Sequence, residues 1–382
     1  MGDQTTHKID AACFCAELAL RNFDFFTGVP DSLLSDFTAC LADSSQPYQN
    51  IITANEGSAI GLAAGYYLST GTCGVVYMQN SGLGNAVNPL QSLADEEVYS
   101  IPMLLIIGWR GEPGTKDEPQ HVKQGKTTIP LLEAMGIPFQ VLDADNYIQQ
   151  LDWCADIVKA HSAPVALVVQ KGTFDAYPFT VEDTELPMTR EGALEAVLEN
   201  ISPDDLVVAT TGKTAREIFE LRVARGEGHA NDFLTVGAMG HTASIALGMS
   251  LGTNKDVYCI DGDGSLLMHM GSLATVTDQA GANFKYILND NGAHESVGGQ
   301  PTVSRQLNIR KILQGLGFEE VFEVENTEEI VDALRQMKGL SKAALILQTR
   351  QGSRKDLGRP TLSPQQNKIA LMENIRSESI GS

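Results

Sequence analysis

The residues best placed to do chemistry in this sequence are Asp263 and Asn291, an acid and an amide 28 positions apart. Asp263 sits in Gly262-Asp263-Gly264-Ser265, and Asn291 in Asn289-Asp290-Asn291-Gly292. Apolar, strand-like runs lead into both: Val257-Tyr258-Cys259-Ile260 and Phe284-Lys285-Tyr286-Ile287-Leu288. One carboxylate and one amide oxygen therefore follow two strand C-termini, with a glycine turn and a helix between them. A hard cation such as Mg²⁺ takes a few protein oxygens and keeps its other positions for water or phosphate. Glycines let backbone N–H groups come close to that phosphate at a helix start. A lone Gly-Asp-Gly turn is also what a solvated strand end looks like; the spaced Asn makes it a stronger signal.

Two further segments carry candidate groups. Thr53-Ala54-Asn55-Glu56-Gly57 opens an Ala-rich helix that ends Gly65-Tyr66-Tyr67. Glu56 reads either as a first-turn acid favoured by the helix dipole or as a buried carboxyl able to share a proton. Val236-Gly237-Ala238-Met239-Gly240-His241 is a strand end followed by a small-residue helix. Met239 there is a polarizable filler, of the core or of a ligand site. A third region, Arg110, Lys116, His121, Lys123 and Lys126, gathers basic residues in one predicted loop, with Glu112, Asp117 and Glu118 among them. It reads as a solvated charged loop or as a grip for a dianion through charge-assisted hydrogen bonds.

The elements that must position these groups alternate along the chain. Expected strands include Asn50 to Ala54, Val75 to Gln79, Met103 to Gly108, Phe139 to Leu142 and Val165 to Gln170. Helices are expected at Glu56 to Thr70, Asn88 to Ala94, Ile129 to Met135 and Tyr147 to His161. The stretch Gly172 to Arg190, proline-bearing and acidic, breaks the rhythm, which then restarts at Glu191. Such alternation implies parallel sheets covered on both faces. The fold class expected is α/β, as two doubly wound parallel-sheet domains. They span residues 1–175 and 191–382, with a linker at 176–190.

Composition narrows the function classes. The 382 residues hold 27 Lys+Arg against 48 Asp+Glu, a formal charge of −21. That argues against nucleic acid and anionic membrane surfaces as partners. The six cysteines are scattered without a CxxC pair and are expected to be buried thiols of a reducing compartment. No apolar run reaches membrane-spanning length, and the first ten residues lack the apolar core of a signal peptide. A cytoplasmic protein is expected.

Taken together, the Gly-Asp-Gly/Asn pair, the Glu56 segment and the Met239 segment resemble the thiamine-diphosphate-dependent enzyme family. The resemblance implies that Asp263, Asn291 and the Ala293 carbonyl hold Mg²⁺ against the diphosphate, with Gly262, Gly264 and Ser265 beside it. It implies that Glu56 hydrogen-bonds the cofactor pyrimidine, that Gly237 offers its carbonyl to the amino group, and that Met239 wedges under the cofactor. Glu56 falls in a pyrimidine-binding half and the metal site in a diphosphate-binding half, with no room for the middle domain of larger relatives. Because that family builds its site from two subunits, at least a homodimer is implied.

Within the family, the chain resembles phosphonopyruvate decarboxylases along essentially its whole length. The segments that carry this are Gly28-Val29-Pro30-Asp31-Ser32, Gln79-Asn80-Ser81-Gly82-Leu83-Gly84-Asn85, Gly108-Trp109-Arg110-Gly111, Lys116-Asp117-Glu118-Pro119-Gln120-His121, Asn291-Gly292-Ala293-His294-Glu295-Ser296 and Gly352-Ser353-Arg354-Lys355-Asp356-Leu357-Gly358-Arg359-Pro360. The substrate implied is a small 2-oxo acid bearing a phosphonate, 3-phosphonopyruvate. It would be decarboxylated to phosphonoacetaldehyde in phosphonate biosynthesis. Ser81, Arg110, Lys116, His121 and Lys123 are its expected contacts, with Arg354 and Arg359 a second basic pair. Asp31 and His294 are expected proton relays, or a turn and a cap residue. Three alternatives stand beside this reading: a sulfopyruvate or other 2-oxo acid decarboxylase, a catalytically silent binding protein of the same fold, and a nucleotide-binding α/β protein. No GxGxxG or Walker sequence supports the last.

Overall fold

The computed structural model describes residues 7–178 and 185–379. Residues 179–184 of the expected linker lie outside them. The chain divides into two compact units, Met1–Val181 and Glu182–Ser382.

The first unit is a six-stranded parallel sheet built from β1 (Phe25–Gly28), β2 (Gln49–Ile52), β3 (Gly74–Gln79), β4 (Met103–Gly108), β5 (Phe139–Val141) and β6 (Val165–Val169). Its order is β2-β1-β3-β4-β6-β5. Six helices connect and cover it: α1 (Ala11–Leu20), α2 (Ser35–Ala42), α3 (Glu56–Thr70), α4 (Leu83–Pro89), α5 (Pro119–Ala134) and α6 (Tyr147–His161). The second unit holds β7 (Leu206–Ala209), β8 (Asp232–Leu234), β9 (Val257–Gly262), β10 (Phe284–Asp290), β11 (Glu320–Val324) and β12 (Ala343–Gln348). Its order is β11-β12-β10-β9-β7-β8. Read from the other edge, with strands counted within each unit, this is the order of the first sheet. Its helices are α7 (Arg190–Asn200), α8 (Lys213–Ala224), α9 (Thr242–Ser250), α10 (Asp263–Met268), α11 (Ser272–Gln279), α12 (Ile309–Gly315), α13 (Thr327–Met337) and α14 (Pro364–Ser379).

Successive side chains of a strand point to opposite faces, so a sheet covered on both sides needs apolar residues at every position. The central strands obey this. Val75 and Tyr77 enter one core of the first unit, and Val76 and Met78 enter the other. In the second unit Tyr258 and Ile260 face one layer, and Val257 and Cys259 the opposite one. The edge strand β2 alternates exposed and half-buried residues instead.

The α/β class and the two doubly wound sheets match the expectation. Several boundaries differ. The helix expected at Ile129 begins ten residues earlier, at Pro119, because a proline at the first helical position needs no N–H partner and Glu118 before it is extended. His121, Lys123 and Lys126 are therefore on a helix, not in a loop. The helix expected at Asn88 begins at Leu83. Helices α2, α10 and α14 and strand β11 were not anticipated. Of the six thiols five are buried and unpaired, while Cys13 is exposed. Among the described residues, no helix is long and apolar enough to cross a membrane.

Candidate active site

In a doubly wound sheet, ligands meet the carboxyl ends of the strands where the order reverses. That point lies between β1 and β3 in the first unit, and between β7 and β9 in the second. The chemistry-bearing residues follow these ends or those of their neighbours: Asp31 after β1, Glu56 after β2, Ser81 after β3 and Arg110 after β4. In the second unit Met239 follows β8, Asp263 follows β9 and Asn291 follows β10.

In the first unit, Asn55 caps α3 by accepting from the Ser58 N–H, which sets Glu56 in the first turn. Glu56 is 5% exposed. Asn85 Nδ2 donates to Glu56 Oε2 at 2.7 Å. The other oxygen lies over Gly82, where any Cβ would stand on the carboxylate. Ser81, on the same turn, accepts at its Oγ from Gln79 Nε2 at 2.5 Å. Asp31 is fully buried. Its Oδ2 accepts from the Leu33 N–H at 3.0 Å, while Oδ1 has no partner. Burial pushes the Asp31 carboxyl up to about 6, against the pull of the Leu33 N–H and Arg110. Gly108 leaves room for it, since a Cβ there would land on the Asp31 carboxylate.

The basic region departs from its expected role as an open grip. Arg110 forks onto Asp117 through Nε at 2.8 Å and Nη2 at 2.5 Å, and its Nη1 donates to Ser32 Oγ at 2.7 Å. Asn80 donates to the Arg110 carbonyl and to Thr128 Oγ1 at 2.8 and 2.9 Å, which ties this loop to α5. His121 is buried with Nδ1 unpartnered. Burial first, and Arg110 second, hold its imidazole below the ordinary histidine range. Lys116, Lys123 and Lys126 are exposed. Arg354, from the other basic pair, is taken up by Glu191 at 2.8 Å and by Glu220.

In the second unit, Asp263, Asp290 and Asn291 are 4%, 2% and 3% exposed. Thr302 Oγ1 donates to Asp263 Oδ2 at 2.5 Å, and Ser304 Oγ donates to Asp290 Oδ1 at 2.7 Å. Burial first, and Asp290 second, push Asp263 up to about 7. Two carboxylates closed away together are a site that a cation would relieve. Among the described residues no group of three His, Cys, Asp or Glu could hold a metal. A cation here would therefore need the amide and backbone oxygens of Asn291 and Ala293 as well, a donor set that suits a hard ion. Gly292, at φ +71°, turns the chain between them. Asn291 Oδ1 accepts from the Ala293 N–H at 3.1 Å, and its Nδ2 donates to Glu295 Oε2 at 2.9 Å.

Met239 is carried by a left-handed turn, Ala238 at φ +56° followed by Gly240 at φ +88°. A non-glycine residue in that region marks local strain. The Gly240 N–H donates to Ser265 Oγ at 3.0 Å. A methyl on Gly264 would meet Met239 Cε at 3.1 Å and His294 Nδ1 at 3.3 Å, so thioether and imidazole converge on one glycine. Burial lowers His294 to about 4, leaving a neutral ring at pH 7. Gly262 is less crowded and its N–H donates to Asp261 Oδ1 at 3.0 Å.

The structure thus brings Glu56 to Asn85 and Gly82; Asp31 to Gly108; Met239 to Gly264 and His294; and Asp263 to Asp290. Lys116 and Lys123 lie apart from these clusters, exposed to solvent. Sequence reading passed over Asn85 and Gly82, although both lie in a segment it singled out. Thr302 and Ser304 carried no signal, because hydroxyls on an irregular loop are common.

Comparison with known proteins matches each unit to a known domain. Residues 11–130 match the N-terminal TPP binding domain of thiamine pyrophosphate enzymes, and residues 210–347 match the C-terminal TPP binding domain. The chain is 34% identical over 379 residues to a phosphonopyruvate decarboxylase of Streptomyces hygroscopicus, covering 93% of this chain and 91% of that one. It is 33% identical over 376 residues to the same-named protein of Streptomyces viridochromogenes, covering 93% and 92%. A sulfopyruvate decarboxylase of Methanosarcina acetivorans is 26% identical over 325 residues, covering 79% and 82%.

Proposed function

This chain belongs to the thiamine pyrophosphate enzyme family, and on that premise we propose that it decarboxylates 3-phosphonopyruvate to phosphonoacetaldehyde and carbon dioxide, with Mg²⁺ and as at least a homodimer. The observation that carries the reading is the buried Glu56 carboxyl, clamped by Asn85 over Gly82 at the head of α3. A silent binding protein would not need an acid fixed in that way.

When bound, thiamine diphosphate supplies a nucleophilic carbon and an electron sink for the leaving carboxylate. The remaining work falls to the chain. Glu56 would present its carboxyl to the pyrimidine, with the Asn85 amide holding one of its oxygens in place. Asp263, Asn291 and the Ala293 carbonyl hold the cation, with Gly264 admitting Met239 beside them. Asp31, brought to about 6 by burial, is the group whose proton is available near neutral pH for the product carbon. His294, lowered to about 4, serves as a neutral hydrogen-bonding ring and is a poor acid at pH 7. The phosphonate contact is drawn from the basic segment after β4, where Arg110 orders the loop through Asp117 and Ser32. The similarity to two phosphonopyruvate decarboxylases supports this substrate over its sulfonate isostere. The cytoplasm and phosphonate biosynthesis are the setting this reading expects.

Two measurements test it. Glu56→Gln should bind thiamine diphosphate with an affinity near that of the parent and lose at least about 100-fold in turnover, the scale of one general acid–base group. Parental turnover in that variant would sink the assignment. Decarboxylation rates on phosphonopyruvate, sulfopyruvate and pyruvate decide the substrate: phosphonopyruvate should give the highest kcat/KM, and a faster rate on sulfopyruvate would transfer the reading to the sulfonate.

A further inference from the structure

Glu295 stands outside the oxygens proposed for the cation, and its surroundings are unusual. Its carboxylate accepts from Arg190 Nη1 at 2.7 Å, from Lys213 Nζ at 2.8 Å and from Asn291 Nδ2 at 2.9 Å. Arg190 is itself buried and forks onto the fully buried Glu217 through Nε at 2.6 Å and Nη2 at 2.7 Å. One carboxylate therefore accepts from the amide, and charged groups from α7 and α8 hold that carboxylate in place. Such a network is fully satisfied, so it is rigid and expensive to disturb.

The consequence lies in the chemistry of an asparagine. Its oxygen and its NH₂ are nearly the same shape, and only one of them can bind a cation. A carboxylate held by Arg190 and Lys213 is ionised and accepts only. It therefore takes the NH₂ of Asn291 and turns Oδ1 the other way. Oδ1 receives the Ala293 N–H and keeps its second lone pair open.

We infer that Glu295 is a positioning residue that selects the amide orientation of Asn291 and thereby the affinity of the cation site. The inference deepens the reading of Asp263 and Asn291 as cation ligands and rests on it. It also explains why an amide stands at this position, where a carboxylate would ordinarily bind Mg²⁺ more strongly. An aspartate at position 291 would meet the Glu295 carboxylate at hydrogen-bond distance with no proton between them.

The test is Mn²⁺ binding in the presence of thiamine diphosphate, read from the electron paramagnetic resonance of free Mn²⁺. Glu295→Gln, which accepts or donates equally well, should raise the Mn²⁺ dissociation constant about 10- to 100-fold, as loss of an outer partner of a metal ligand does. Asn291→Asp, with Glu295 intact, should bind more weakly than the parent despite its added charge. The double variant Asn291→Asp/Glu295→Gln should recover at least about tenfold over Asn291→Asp alone. Parental affinity in Glu295→Gln, or tighter binding in Asn291→Asp than in the parent, would overturn the inference. The second arm keeps it open to refutation even where Glu295→Gln fails to fold. Asp263→Asn separates the underlying reading. Loss of Mn²⁺ binding there upholds the site, while unchanged binding removes the site and the inference with it.

Discussion

Gly82 decides where the Glu56 carboxylate can lie. A methyl there would stand on that carboxylate, and Asn85 would have to let go of it. Gly82→Ala is expected to lower kcat at least about 100-fold, the effect of displacing a reacting group by about 1 Å, with only a small change in thermal midpoint. Equal loss of fold and turnover would refute this positioning role. Asp31 gives a prediction of opposite kind. Its folded pKa of about 6 lies above the 3.8 of an unperturbed aspartate. Protonation therefore favours the folded state. That stability is fully present below about 3.8 and is lost as pH rises through about 6. Asp31→Asn should then be more stable than the parent by about 2–3 kcal/mol at pH 7, with the difference vanishing near pH 4, while turnover falls. Urea unfolding at several pH values checks it, and an equal gain at pH 4 and 7 would refute it. The difference between variant and parent isolates Asp31 from His294, whose lowered pKa works in the other direction. Glu56, Asp263 and Asn291 were legible in the sequence because each sits at a fixed offset from a strand end or helix start. Arg190, Glu217 and Thr302 were not, because they reach their partners from 27 to 105 positions away along the chain.

Elements differ in how plainly they announce themselves. The strands Met103–Gly108 and Ala343–Gln348 and the helices Glu56–Thr70 and Tyr147–His161 have the bounds their patterns suggest, because burial is nearly continuous in such strands and end signals flank such helices. Helix α5 hides its first two turns. Its buried positions His121, Gly125, Thr128 and Leu132 follow a helical spacing, but only one of the four is aliphatic. The sequence therefore reads as polar until Ile129. The reason for so small a residue at 125 is a close approach. A Cβ on Gly125 would fall on the Gly111 carbonyl, and one on Gly111 would fall on the His121 carbonyl. Trp109 Nε1 donates to the Gly125 carbonyl at 2.8 Å and seals the same contact. Gly125→Ala is an informative substitution because two effects oppose. Helix propensity favours Ala by about 1 kcal/mol. The neighbour is backbone, however, and cannot swing aside. We expect a net loss of about 1–3 kcal/mol, the scale of overpacking, together with a higher KM as the Arg110–Asp117 loop loosens. A gain in stability measured by urea unfolding would mean that propensity wins and the approach is slack.

At the scale of the molecule, the two units repeat one strand order, and each carries its candidate groups on corresponding strand ends. Glu56 follows the second strand of its sheet and Met239 the second strand of the other. Ser81 and Asp263 follow third strands, and Arg110 and Asn291 follow fourth strands. Sequence alone suggested two similar halves from the restart of the rhythm, but not this correspondence, because parallel order depends on which strands pair and not on their spacing. Each sheet is also closed on both faces by apolar layers drawn from its own unit. A unit of this size buries about two-thirds of the surface its unfolded chain exposes, enough to fold without help. The formal charge of −21 keeps such pieces apart from nonspecific association. Residues 1–181 and 182–382, produced as separate chains, should therefore each unfold cooperatively. Each group that acts through near neighbours, Glu56 with Asn85 and Asp263 with Thr302, is complete within one piece. Circular dichroism melts of each piece decide the matter. A piece that melts without cooperativity would mean that its core depends on the other unit, and the picture of two self-sufficient sheets would fall.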